Sequence, residues 1–168
     1  VVLQPSEQQK EIVASLSERA EKVRNKQVNS NEDNMLVITN DGRKLALDQR
    51  LINPMLPDSD TGKVAVCAEN VYNIWERTAE KKSTQMVFVD LSTPHNDGQF
   101  NVYDDLKKKL LDKGIPESEI AYIHDAKTEA AKKELFGKVR SGEVRVLIGS
   151  TQKMGAGTNA QRKLIALH

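Results

Sequence analysis

The stretch Gln85-Met86-Val87-Phe88-Val89-Asp90-Leu91 decides the fold. It is short, rich in β-branched and aromatic residues and nearly all apolar, which reads as a strand buried on both faces. Such a strand belongs to a parallel sheet with helices over both sides. Moving outward, Ser92–Gly98 is rich in turn formers. Val102, Tyr103, Leu106, Leu110 and Leu111 then recur at helical spacing, up to a stop at Gly114. Ile120-Ala121-Tyr122-Ile123 reads as a second strand. Thr128 is placed to cap a helix whose inner face holds Ala131, Leu135, Phe136 and Val139, with Ser141-Gly142 closing it. Val144–Ile148 is a third strand, Gly149–Gln161 a glycine-rich loop, and Leu164–Leu167 a fourth strand. Strand and helix alternate, which predicts an α/β domain: an open parallel sheet covered by helices.

Upstream of Gln85 the period changes from two to helical. Ser6 and Gln9 have capping-box spacing, and Ile12, Val13, Leu16, Ala20 and Val23 follow as one face, which predicts a helix over 5–26. Asn29–Asn34 reads as a loop, and 43–52 as a shorter helix stopped by Pro54. Pro57–Gly62 reads as a linker. A third helix is expected over 63–81, burying Val64, Cys67, Val71, Ile74 and Trp75. The expected division is therefore a helical preface, 1–82, packing on an α/β lobe, 83–168.

Composition narrows the class. With 38% hydrophobic and 29% charged residues, the 168-residue chain suits a globular domain. No apolar run approaches the roughly 20 residues that span a bilayer, so no membrane partner is expected. The single cysteine excludes an internal disulfide and fits a reducing, cytoplasmic setting. Residues 137–168 carry Lys138, Arg140, Arg145, Lys153, Arg162 and Lys163 against Glu143 alone. A basic end attracts phosphates, although a solvated basic surface reads the same way.

In open parallel sheets, ligands bind outside the carboxyl ends of the strands. Three loops are predicted there: Ser92–Gln99, His124–Thr128 and Gly149–Gln161. The last is the richest in chemistry. Its glycines let backbone N–H groups approach an anion, and Ser150, Thr151 and Lys153 are residue types that hold phosphate oxygens. An ordinary strand-to-helix turn has the same composition. Gly155-Ala156-Gly157-Thr158-Asn159-Ala160 also fits the dinucleotide fingerprint, but it starts too far from the strand end, and the sequence stops before the position of the acidic residue that should follow. Thr61-Gly62-Lys63 is no Walker A loop, because Pro57 and Val64 stand where Gly and Ser or Thr belong. The three histidines and Cys67 have no zinc-site spacing, and no metal ligand set or nucleophile stands out.

Taken in order, these segments resemble the carboxyl-terminal RecA-like lobe of superfamily 2 helicases. Gln85–Ser92 is similar to motif IV, and Ile120–Asp125 to the strand that ends in His-Gly in that family. Glu134–Gly142 resembles the helix before motif V. Ser150–Ala160 resembles motif V in its Swi/Snf form, with Ser150, Thr151, Gly155, Gly157 and Asn159 in register. Met154 and Ala160 depart from that form, and Asp125 stands where the glycine after histidine is usual. Gly149–Asn159 with Leu164–His168, together with Asn40–Lys44 and Leu47–Pro54, is most similar to large phage and mobile-element proteins. Those join a Swi/Snf-like helicase to an N6-adenine DNA methylase.

The resemblance implies a RecA-like, P-loop NTPase helicase lobe, incomplete because the first lobe and the arginine-bearing motif VI are missing. It implies an ATP-dependent DNA helicase or translocase in which Ser92, Thr93, Ser150, Thr151 and Lys153 meet the DNA backbone. Gly155, Gly157, Asn159 and Gln161 would couple that contact to the ATP cleft. The implied partners are DNA and the first RecA-like lobe. ATP and Mg2+ would serve the full-length protein, with none held tightly by this fragment and no catalytic residue within it. The alternatives are a non-enzymatic α/β interaction module derived from such a lobe, and a dinucleotide-binding enzyme.

Overall fold

In the computed structural model, which describes residues 2–94, 97–154 and 160–168, the apolar runs form one parallel sheet. Its strands are β1 (Thr84–Phe88), β2 (Ile120–Tyr122), β3 (Val146–Gly149) and β4 (Leu164–Leu167), ordered β2-β3-β1-β4. β1 lies beside β3 with Gln85 opposite Val146 and Phe88 opposite Gly149. The helices are α1 (Glu7–Arg24), α2 (Met35–Leu47), α3 (Lys63–Arg77), α4 (Val102–Asp112), α5 (Glu129–Ser141) and the four-residue α6 (Thr151–Met154). The protein is an α/β fold with a parallel sheet covered by helices and a helical amino-terminal segment, consistent with a RecA-like lobe.

Alternation along the strands assigns the two faces. Met86 and Leu147 pack with Ile123, Phe136 and Val139, so α5 covers their side. Gln85, Val87, Val146 and Ile148 point the other way, where α3 lies: the Gln85 side-chain amide donates to the Val71 carbonyl at 2.9 Å. α4 neighbours α3, since Lys113 pairs with Glu69 and stands over the Tyr72 ring. Both faces are dry. Met86, Val87, Val146, Leu147 and Ile148 are all buried, which is why the strands read as continuous apolar runs.

The chain divides into two compact units, Val1–Val64 and Ala65–His168. The sequence placed the division after residue 82, with α3 in the preface. The structure puts most of α3 with the sheet, because it is bonded there. Arg145, 3% exposed, donates to the Trp75 carbonyl at 2.6 Å, the Thr78 hydroxyl at 3.0 Å and the Ser83 carbonyl at 3.1 Å. Its guanidinium also stacks 5.1 Å from the centre of the Trp75 ring.

In the first unit, α1 opens on the capping box read from the sequence. The Ser6 hydroxyl accepts from the Gln9 amide at 3.1 Å, and the Gln9 side chain accepts from the Ser6 amide at 2.9 Å. The second helix differs from expectation. It starts at Met35, not Arg43, because the Asn34 side chain accepts from the amides of Leu36 and Val37 at 3.0 Å. It ends at Leu47, where Asp48 caps a separate 3-10 turn, Gln49–Leu51. Gly42 stays inside the helix, and a Cβ there would touch Leu16 of α1 at 3.9 Å. No helix among the described residues is long and apolar enough to cross a membrane.

Candidate functional site

The connections leaving adjacent strands β1 and β3 diverge. β1 runs through α4 to β2, past β3 on one side, while β3 runs to β4, beyond β1 on the other. α4 and α6 begin those connections on opposite faces, with Met154 of α6 buried in the Met86 and Leu147 cluster. Such a divergence opens a crevice at the carboxyl ends of the two strands, the usual ligand position in open α/β sheets.

Gly149 shapes this end of the sheet. A Cβ there would lie 2.3 Å from Cγ2 of Ile123 and 2.8 Å from the Met154 sulfur, so only glycine lets α6 fold back on the 3-10 turn Ile123–Asp125. That fold-back carries Thr151 to the end of β1. The Thr151 amide donates to Oδ1 of Asp90 at 2.7 Å, and its hydroxyl donates to Oδ2 at 2.9 Å. Both residues are exposed to solvent. One carboxylate thus joins the ends of β1 and β3.

Beside this clasp, the Tyr103 hydroxyl donates to the Val89 carbonyl at 2.5 Å and is also bonded by Thr93. Burial, with the charge of Asp90 added, pushes the phenol up to about 12. The His124 ring meets Tyr103 edge to face, with centroids 5.3 Å apart. Its Nδ1 is buried with no hydrogen-bond partner among the described residues. Burial, then the Lys153 cation, holds the His124 imidazole below its ordinary range, against an opposing pull from Asp125. The ring is therefore neutral at physiological pH.

The chain matches no protein-family model, no curated protein and no solved structure.

The expected site residues divide into three groups. Ser150, Thr151 and Lys153 come together at the end of β3. Ser150 caps α6 through its carbonyl, which accepts from the amides of Lys153 and Met154 at 3.0 Å, while Thr151 and Lys153 are exposed. Ser92 and Thr93 follow β1, but their hydroxyls are turned inward. Ser92, held at φ 63°, accepts from the Val102 amide at 2.9 Å, and Thr93 bonds to Tyr103. Gly155, Gly157 and Asn159 lie outside the described residues, as does His95. Gln161 is exposed, next to the buried Ala160.

The basic carboxyl-terminal segment is less of a patch than its sequence suggests. Arg145 is a buried structural cation, and Lys138 pairs with Glu134 at 3.1 Å. Asp90 is the residue that sequence reading left out of the site, whereas His124 opens one of the three loops expected there. Asp90 carried a signal all the same, being a carboxylate closing an apolar strand run at the end where ligands bind.

Cys67 is no nucleophile: burial pushes its thiol up to about 11. A groove of about 310 Å³ opens in the first unit, among Val13, Leu16, Leu45 and Leu47. Its buried Gln49 is already bonded to the Ser6 hydroxyl and the Pro57 carbonyl. Gly62-Lys63 starts a helix after a turn, not after a strand, so the pair makes no triphosphate cradle.

Proposed function

We propose that this chain is the second RecA-like lobe of a superfamily 2, Swi/Snf-type DNA helicase or translocase. The observation that carries the reading is the meeting of two segments. The motif IV-like strand and the motif V-like strand are adjacent, and the residues after each meet at the carboxyl edge of a parallel sheet. Lys153 brings a positive charge to one exposed surface, where the two donors of Thr151 already hold an anion, the Asp90 carboxylate. Such a surface suits a phosphate chain better than an apolar ligand. Contacts to phosphates are independent of base sequence and weaken as salt rises.

In this reading the lobe meets DNA through Ser150, Thr151 and Lys153, with Ser92 and Thr93 shaping the rim from within. ATP and Mg2+ belong to a cleft completed by a first RecA-like lobe, which supplies the phosphate cradle these residues lack. Motor action then follows from closing and opening that cleft.

Fluorescence anisotropy with labelled DNA of mixed sequence, over a series of salt concentrations, tests the proposal. The expected result is weak binding that falls with salt. Lys153→Ala should weaken binding across sequences and reduce the logarithmic salt slope by about one. Absence of DNA binding at low salt, with the protein folded, contradicts the reading and favours an interaction module. ATP turnover by the pure chain, above that of a Lys153→Ala, Thr151→Ala variant, contradicts the assignment of the ATP cradle to another lobe.

A further inference from the structure

Threonine has two donors, its backbone N–H and its hydroxyl. At Thr151 both are spent on a single carboxylate, that of Asp90, at 2.7 and 2.9 Å. Two adjacent donors converging on the two oxygens of one anion are also the arrangement that holds a phosphate. In this state Thr151 has nothing left to donate to an external oxyanion. The clasp is open to water on both sides, since Asp90 and Thr151 are exposed, so exchange requires no unfolding.

We propose that Asp90 is an internal stand-in for a backbone phosphate: it occupies the seat made by Thr151, and a nucleic-acid phosphate must displace it. The inference rests on the DNA-backbone reading above and adds a cost and a consequence to it. The cost is that binding competes with an intramolecular anion already in place. The consequence is that phosphate arrival severs the side-chain link between the ends of β1 and β3, leaving the Val89 amide bonded to the Gly149 carbonyl, so occupancy of the seat is felt by both segments. Lys153, which stands on the same short helix, favours whichever anion is seated.

The test uses the full 168-residue chain and the same labelled DNA at fixed low salt. Asp90→Asn keeps the shape, removes the charge and presents an amide where Thr151 needs an acceptor. It should tighten DNA binding about fivefold, the scale expected when one charge-assisted bond at an exposed site no longer competes. Asp90→Ser, which removes the carboxylate altogether, should shift binding the same way. Asp125→Asn, the same charge change on the neighbouring turn, should stay within about twofold of wild type, because that carboxylate does not fill the seat. The gain from Asp90→Asn should shrink in a Thr151→Val background, where the backbone N–H alone remains to be freed.

Unchanged or weaker binding by both Asp90 variants overturns the inference, weaker binding marking Asp90 as an aid that holds Thr151 in place. A gain left undiminished by Thr151→Val also overturns it, reducing the effect to net charge. If the wild-type chain and every variant fail to bind DNA, the functional reading falls and this inference with it. Binding by wild type without the expected gain removes the inference alone.

Discussion

Gly149 has no room for a side chain. Alanine would drive its Cβ to 2.3 Å from Ile123 and 2.8 Å from Met154, both buried. Because Ile123 belongs to the tightly filled α5 side of the sheet, relief requires moving the turn or α6. Gly149→Ala is expected to cost about 2 kcal/mol, read as a lower urea midpoint with unchanged slope. It should also weaken the Asp90–Thr151 clasp, since α6 is what brings Thr151 to Asp90. A substitution the core absorbed, with an unshifted midpoint, would mean that α6 is not held by this contact. The same scale explains why Ser92 and Thr93 are not simple surface donors: each hydroxyl already serves the start of α4.

Elements are joined in this protein by a few buried polar groups. Arg145 ties the carboxyl end of α3 to the start of β1 by three hydrogen bonds, at a site with almost no solvent. Desolvation lowers its guanidinium from the usual range, with Glu119 opposing. Arg145→Ala leaves the Trp75 and Ser83 carbonyls without that partner and removes the stack on Trp75. The expected loss is about 3 kcal/mol by denaturant unfolding. A loss no greater than that of a surface substitution would show that water replaces the guanidinium freely. Gln85 works similarly across the sheet. Its amide donates to Val71, so its oxygen accepts from Nε2 of His168 at 2.8 Å. α2 shows the element scale from the other side. Its start is set by Asn34, and the apolar run that follows, Met35-Leu36-Val37, is exposed rather than buried.

Among the described residues of the second unit, two histidines fold neutral. Burial lowers His168, and burial followed by the Lys153 charge lowers His124, both from 6.5. When the folded value lies below the unfolded one, the unfolded chain takes up protons first as pH falls. Stability is therefore full above about 6.5 and declines below it, until the folded-state values are passed. The melting temperature should drop from pH about 7.5 to about 5.5, and His124→Gln should flatten part of that decline. A profile with no dependence in that window, or one that His124→Gln leaves unaltered, would contradict the role of the buried ring.

Much of the architecture was legible in the chain. Met86–Val89 and Val146–Ile148 are apolar without alternation, and only a sheet covered on both faces accommodates that pattern in water. Ser6 with Gln9, Thr128 and Gly142 marked helix ends because caps are local: a side chain bonds an amide three residues away, or a glycine supplies a left-handed φ. α2 starts at Met35 rather than at Arg43, because the Asn34 side chain caps it there and Gly42 continues the helix. Ser150, Thr151 and Lys153 announced themselves by type and by following a strand. Asp90 offered only its place at a strand end, because its meaning is a bond across 61 positions. Local sequence fixes what each segment can form, since those forces act within a turn or two of chain. Which carboxylate meets which hydroxyl is decided by strand order, and strand order exists only once the sheet has closed.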